Sequence, residues 1–144
     1  MQVIFEKAAS SDEEKAIIHA VNRTDEIEAA INLLENAGGK VAVNKDGKTY
    51  LLDINKIYYI ESIDKKTFVY SKENCYETKL RLYELEAMLN ANFLRCAKAM
   101  IVNIRKIRSV KSDLNSRMNA YLLNGETVVI ARSYVKELKN RLGI

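Results

Sequence analysis

Met118-Asn119-Ala120-Tyr121-Leu122-Leu123-Asn124-Gly125-Glu126-Thr127-Val128-Val129-Ile130 carries the clearest fold signal in the chain. Two strand-forming runs, 118–123 and 127–130, flank Asn124-Gly125, a pair suited to the tight turn of a β-hairpin. The same device recurs at Asp46-Gly47, between runs at 40–45 and 48–52. Working outward, period-two patterning predicts further strands at 57–61, 68–71, 101–103 and 107–111. Two amphipathic helices interrupt them. Leu82, Leu85 and Leu89 share one face over 80–89. Val135, Leu138 and Leu142 do the same over 133–142, where Lys136, Lys139 and Arg141 face away and Ser133 is the expected N-cap. The fold class is therefore mainly β with a few short helices (α+β).

Gly38-Gly39 marks a boundary, because charge sign and periodicity both change across it. Residues 1–39 read as an acidic ββα appendage, with strands at 2–6 and 15–21 and a helix at 24–37. Thr24 is the expected N-cap, Asp25 and Glu26 suit the positive helix end, and Gly38 is the stop. The apolar stripe Ile27, Ile31, Leu34 must be covered, by its own strands, by the body, by a second copy or by a partner. Residues 40–144 form the second domain. At 144 residues the chain has no room for two full-sized domains.

The net charge of +4 hides a split: residues 1–39 hold eight acids and three bases, net −5, so the remainder is +9. Between Arg95 and Arg117 lie seven bases and one acid, Asp113. Interleaved with strand formers, these bases belong to a folded cationic surface. Such a surface either serves solubility or binds a polyanion, and nucleic acid suits it better than lipid. No apolar run reaches the roughly 18 residues of a membrane span, and charges at Glu6 and Lys7 break any leader-like start, so the expected location is cytoplasmic with no lipid insertion.

Enzymatic chemistry finds little support. A single histidine, His19, excludes multi-histidine metal sites, and Cys75 and Cys96 lack metal-pair spacing. All five glycines sit at turns or the chain end, so no phosphate loop exists. Cys96 lies beside Arg95 and near Lys98, which would activate a thiolate, but no base partner is identifiable. No catalytic residue, metal site or cofactor is expected. The bases also lack a helix-turn-helix spacing, so loops must carry any reading of DNA.

From about Val41 to Ile144 the chain resembles the LytTR family of bacterial DNA-binding domains. The resemblance rests on Asp53-Ile54-Asn55-Lys56-Ile57-Tyr58-Tyr59-Ile60-Glu61-Ser62, on the leucine spacing of 80–89, and on Phe93-Leu94-Arg95-Cys96-Ala97-Lys98-Ala99-Met100-Ile101-Val102-Asn103. Ile107, Asn124-Gly125 and Ile130-Ala131-Arg132-Ser133-Tyr134 complete it. It implies an elongated set of β-sheets and a transcriptional regulator that reads paired direct repeats, bending the duplex, through loops in successive major grooves. Carried over by position, the loops are Asp64 to Thr67, Lys98, and Arg132. The DNA-binding residues so implied are Lys65, Lys66, Thr67, Lys98 and Arg132, with phosphate contacts from Ser62, Arg95, Lys106, Ser133 and Tyr134. Where the family commonly has Arg-x-His-x-Ser, this chain has Ala97 and Ala99, which leaves base reading by that loop to Lys98.

The layout is similar to small stand-alone LytTR regulators without a receiver domain. The resemblance implies double-stranded DNA as partner, a homodimer on DNA, and a regulatory membrane protein as controlling partner. The competing reading is a protein-interaction module whose basic body meets an acidic partner.

Overall fold

The computed structural model describes residues 1–35 and 39–144. The chain divides into two compact units, Met1–Ala37 and Gly38–Ile144.

In the first unit a 3-10 turn at Ser11–Glu13 precedes helix α1, Asp25–Glu35. Thr24 caps it as expected: its Oγ1 accepts from the Ile27 N–H at 3.3 Å. Arg23 pairs with Glu28. The unit is not ββα, because 2–6 and 15–21 join no sheet. Strand patterning makes a strand only where a neighbour takes up its backbone N–H and C=O groups, and among the described residues neither segment pairs with one. Ile27 is buried, whereas Val3, Ile4, Phe5, Ile17, Val21 and Leu34 are exposed. The expected helix end at Ala37 and the stop at Gly38 lie outside the described residues.

Among the described residues the second unit has ten antiparallel strands. β1 (Lys40–Lys45), β2 (Lys48–Asp53), β3 (Tyr59–Ile63), β4 (Lys66–Tyr70), β5 (Cys75–Thr78), β6 (Phe93–Ala97) and β7 (Met100–Asn103) form one sheet, in the order β2-β1-β5-β4-β3-β7-β6. β8 (Ile107–Ser112), β9 (Met118–Leu122) and β10 (Thr127–Ile130) form a second, with β9 central. Helix α2 (Leu82–Met88) follows β5, and α3 (Arg132–Leu142) closes the chain.

Alternation along the strands fills two cores. On β7, Ile101 joins a cluster with Val41, Val43, Ile57, Ile60, Val69, Leu82 and Leu85, where α2 packs. Its neighbour Val102 points the other way, into Leu94, Cys96, Ala120, Leu122, Val128, Ile130 and Leu138, where the second sheet and α3 pack. Each fully buried Leu, Ile or Val contributes roughly 1.5–3 kcal/mol over its exposed state. Asn103 is buried yet satisfied: Nδ2 donates to the Ile57 carbonyl at 2.8 Å, and Oδ1 accepts from the Arg105 N–H at 3.1 Å.

Three differences from expectation have physical causes. β5 was not expected, and β6 only as a strand end before Lys98; β5 is short and leaves Cys75 and Glu77 exposed, so it shows little apolar alternation. β4 begins at Lys66 rather than 68, because the turn before it has no glycine to announce it. Helix α3 begins at Arg132 with Ala131 as N-cap, so Ser133 lies within its first turn and does not cap it. Gly143, at φ 74°, ends that helix in the left-handed conformation.

Candidate nucleic-acid interface

Strand register fixes which turns share an end of this unit. β3 runs into the two-residue turn Asp64-Lys65, closed by the Ile63–Lys66 pair. β6 and β7 are joined by Lys98-Ala99, closed by Ala97–Met100. The two turns are neighbours, because the Ser62 N–H donates to the Ala99 carbonyl at 2.9 Å. β10 ends beside them: the Ala131 N–H donates to the Cys96 carbonyl at 2.8 Å, which sets Arg132 at the first position of α3. Three segments far apart in sequence thus meet at one end, with Lys65, Lys66, Lys98 and Arg132 all exposed.

Each support is local. Asp64 and Lys65 have φ of 51° and 67°, the left-handed pair that a two-residue hairpin turn requires. Without glycine this backbone is strained by roughly 1–2 kcal/mol per residue, less where a short polar side chain such as that of Asp64 bonds locally. Arg95 braces the second turn. Its Nη1 donates to the Lys98 carbonyl at 2.6 Å, while its Nη2 lies 2.6 Å from a Glu86 carboxylate oxygen on α2. Arg95 therefore positions the Lys98 turn. Ser62, half-buried, holds Ala99 through its backbone, and Ser133 and Tyr134 lie in the first turn of α3, where the Tyr134 N–H donates to the Ala131 carbonyl at 2.9 Å.

Neither Thr67 nor Lys106 offers its side chain at this end. Thr67 is paired within the sheet and only 5% exposed, so its side chain is unavailable to a ligand. Lys106 follows β7 at the opposite end, its Nζ 5.2 Å from the Tyr58 ring centroid and its carbonyl accepting from the Leu123 N–H. The length of β3 separates the two ends by about 15 Å.

The sequence reading also missed a fourth turn. Ile130 pairs with Met118 and Met118 with Ser112, so the β8–β9 turn, 113–117, emerges at the same end as Arg132. Its signal was present: Lys111 and Arg117 belong to the basic run 95–117. At this turn slight desolvation raises the Asp113 pKa, but N–H donors from Asn115 and Arg117 and the Arg117 charge outweigh it, leaving the carboxyl below its usual range.

Cys96 is fully buried, and burial pushes its thiol up to about 12 despite a backbone hydrogen bond and the Arg95 charge. It stays protonated at neutral pH, and its Sγ lies 3.6 Å from the Met100 carbonyl. At the far end, burial and the Glu61 carboxylate, 2.7 Å from Tyr70 Oη, raise the Tyr70 pKa above its ordinary value. Among the described residues no helix is long and apolar enough to cross a membrane.

The fold has known counterparts. A solved LytTr DNA-binding domain from Bacillus cereus superposes with a TM-score of 0.69 at 30% identity, covering 73% of this chain and 97% of that one. Uncharacterized HTH-type transcriptional regulators of Staphylococcus aureus strains NCTC 8325 / PS 47 and bovine RF122 / ET3-1 are 27% and 28% identical over 138 residues. Those matches cover 94% of this chain and 94% of theirs, and so reach across most of the acidic first unit. Despite those names, α2 and α3 are separated here by five strands, so the second unit has no helix-turn-helix. The family profile described as LytTr DNA-binding domain matches residues 47–143, two-thirds of the chain, and the chain belongs to the LytTR family.

Proposed function

We propose that this chain is a sequence-specific transcriptional regulator that reads paired direct repeats in double-stranded DNA, through turns set into successive major grooves. The observation that carries the reading is the meeting of Asp64-Lys65, Lys98-Ala99 and Arg132 at one end, locked by the Ser62–Ala99 and Ala131–Cys96 backbone bonds. Membership of a DNA-binding family and the regulator names of its relatives support it. Arg132, anchored at a helix start, presents a planar guanidinium able to take guanine O6 and N7 together. Lys98 adds a base-proximal cation. Lys65 and Lys66 meet phosphate, as do Ser62 and the first α3 turn with Ser133 and Tyr134. Thr67 and Lys106 leave the interface, and Arg95 acts through the Lys98 turn.

Paired repeats require two copies, and we assign self-association to the first unit. There Ala16, Ile18, Ile31 and Leu34 line an open apolar groove of about 370 Å³. Leu34→Asp in the full chain then lowers both the sedimentation coefficient and cooperativity on two repeats. If neither changes, the groove instead receives a regulator, for which a membrane protein is the expected class. The protein works in the cytoplasm without inserting into lipid, and no turnover is assigned, since the buried Cys96 thiol stays protonated.

The test is selection of bound duplexes from a random pool, followed by titration at several salt concentrations. Specific binding gives a recovered motif, a steep log–log salt slope and affinity at least about 10³-fold above scrambled duplex. Binding without a motif favours the alternative, a module whose basic body meets an acidic protein.

A further inference from the structure

The β8–β9 turn has the form of a presented side chain. Asp113-Leu114-Asn115-Ser116-Arg117 is closed by the Asp113 N–H donating to the Arg117 carbonyl at 3.0 Å. Asp113 Oδ1 accepts from the Asn115 N–H at 2.8 Å and from the Arg117 N–H at 3.1 Å, and Arg117 Nε meets Asp113 Oδ2 at 3.2 Å. Ser116, at φ 62°, completes the bend. Four polar residues thus form a braced frame around one apolar residue, Leu114, which is 103% exposed. Such a side chain gains nothing from the fold that holds it.

The place and charge of the turn identify what it meets. Register sets it at the end occupied by Arg132, one to two strand spacings from β10, or about 5–10 Å away. The row of turns from 113–117 through Arg132 and Lys98 to Lys65, joined between the sheets by the Ala131–Cys96 bond, spans on the order of 25 Å at a strand spacing of about 4.8 Å. Lys111 on β8 is exposed, and Arg117 neutralises the only acid of the turn. A duplex docked on Arg132 therefore runs beside this tip, with cations available for its phosphates.

We propose that Leu114 is a fourth DNA contact, an apolar side chain laid against base surface beside the groove that receives Arg132. The chemistry it fits is a thymine methyl or an opened base step, not phosphate. This inference rests on the DNA-reading end proposed above, deepens it, and makes one part of its recognition apolar.

Leu114→Ala in the full chain, measured on the selected duplex against salt, tests it. The expected result is roughly tenfold weaker binding with an unchanged salt slope, since an apolar contact displaces no counterions, and recovery in Leu114→Met. Replacing thymines by uracil one at a time locates a methyl contact, and 2-aminopurine fluorescence reports an opened step; either one vanishing in Leu114→Ala supports the assignment. Unchanged affinity in Leu114→Ala overturns it and leaves the tip as an anchor for another protein. A loss that comes with a changed salt slope overturns it as well. If Arg132→Ala binds as well as the parent chain, the DNA-reading end itself is wrong; if only Leu114→Ala is silent, only this contact is.

Discussion

Lys65 and Gly47 hold the same place in two turns at opposite ends of one sheet. Each is the second residue of a two-residue hairpin loop, at φ 67° and 75°, after an aspartate with φ near 50°. At the far end, glycine adopts that backbone without strain, and in the longer 123–125 loop there Gly125 also takes the positive φ, at 91°. At the end with Arg132, no turn uses glycine: Asp64, Lys65 and Ser116 all take positive φ with side chains present. Both ends place an aspartate in the left-handed region, but only the end with Arg132 adds Lys65 and Ser116 to it, giving up stability to keep longer side chains there. Strain retained where an unstrained solution is in use elsewhere in the same fold supports the proposed DNA-reading end.

The largest effect that sharpens this contrast belongs to Arg132. Arg132→Ala costs about 1–3 kcal/mol on the selected duplex and much less on random DNA, read by competition titration. Equal losses on both would make it a phosphate contact.

A reciprocal exchange of the two turns comes next. Lys65→Gly relieves left-handed strain and raises unfolding stability by about 0.5–1 kcal/mol, after allowance for the greater freedom of glycine in the unfolded chain. The same variant weakens DNA binding. Gly47→Lys does the reverse, lowering stability by about 1–2 kcal/mol with DNA binding intact, since a Cβ there meets nothing within 4 Å. Urea melts and titrations of both variants check the pair. Identical behaviour of the two would erase the contrast.

Smaller still, Lys66→Ala weakens all sequences alike and lowers the salt slope by about one unit. The smallest expected effect is the response of the β8–β9 turn to acid. Asp113 has a lowered pKa in the folded chain, so its brace is fully present above the unfolded carboxylate value, about 3.9, and is lost as pH falls through the folded value. The Asn115 and Arg117 amide resonances report it by shifting together below that pH.

The same contrast explains what the sequence disclosed. Glycine-bearing turns announced the far end, and β1 and β10 fall where alternation placed them. The Asp64-Lys65 turn carried no such flag, so β4 was expected to begin two residues late. The missed β5 depends on neighbours: it is held by Thr78 Oγ1 donating to the Ala42 carbonyl as much as by its own pattern. The cationic segment 95–117 read as one surface, yet β7 crosses the sheet between Lys98 and Lys106 and delivers them to opposite ends. Charge is legible in a sequence; which end of a strand it reaches depends on register, and register is set by long-range pairing. Thr67 is at the right end, beside Lys66, but its side chain is turned inward by the β4 pleat.

A matched-charge comparison tests the central claim most directly. One full-length variant replaces Lys65, Lys98 and Arg132 by alanine, and another replaces Lys45, Lys72 and Lys106 at the far end, so both lose three positive charges. Titration of each on the selected duplex from low to high salt separates position from net charge. The account predicts that the first variant loses sequence discrimination and about three units of salt slope, while the second keeps the parent motif and nearly the parent slope. Equal losses in the two would contradict it, reducing the interface to a diffuse cationic surface.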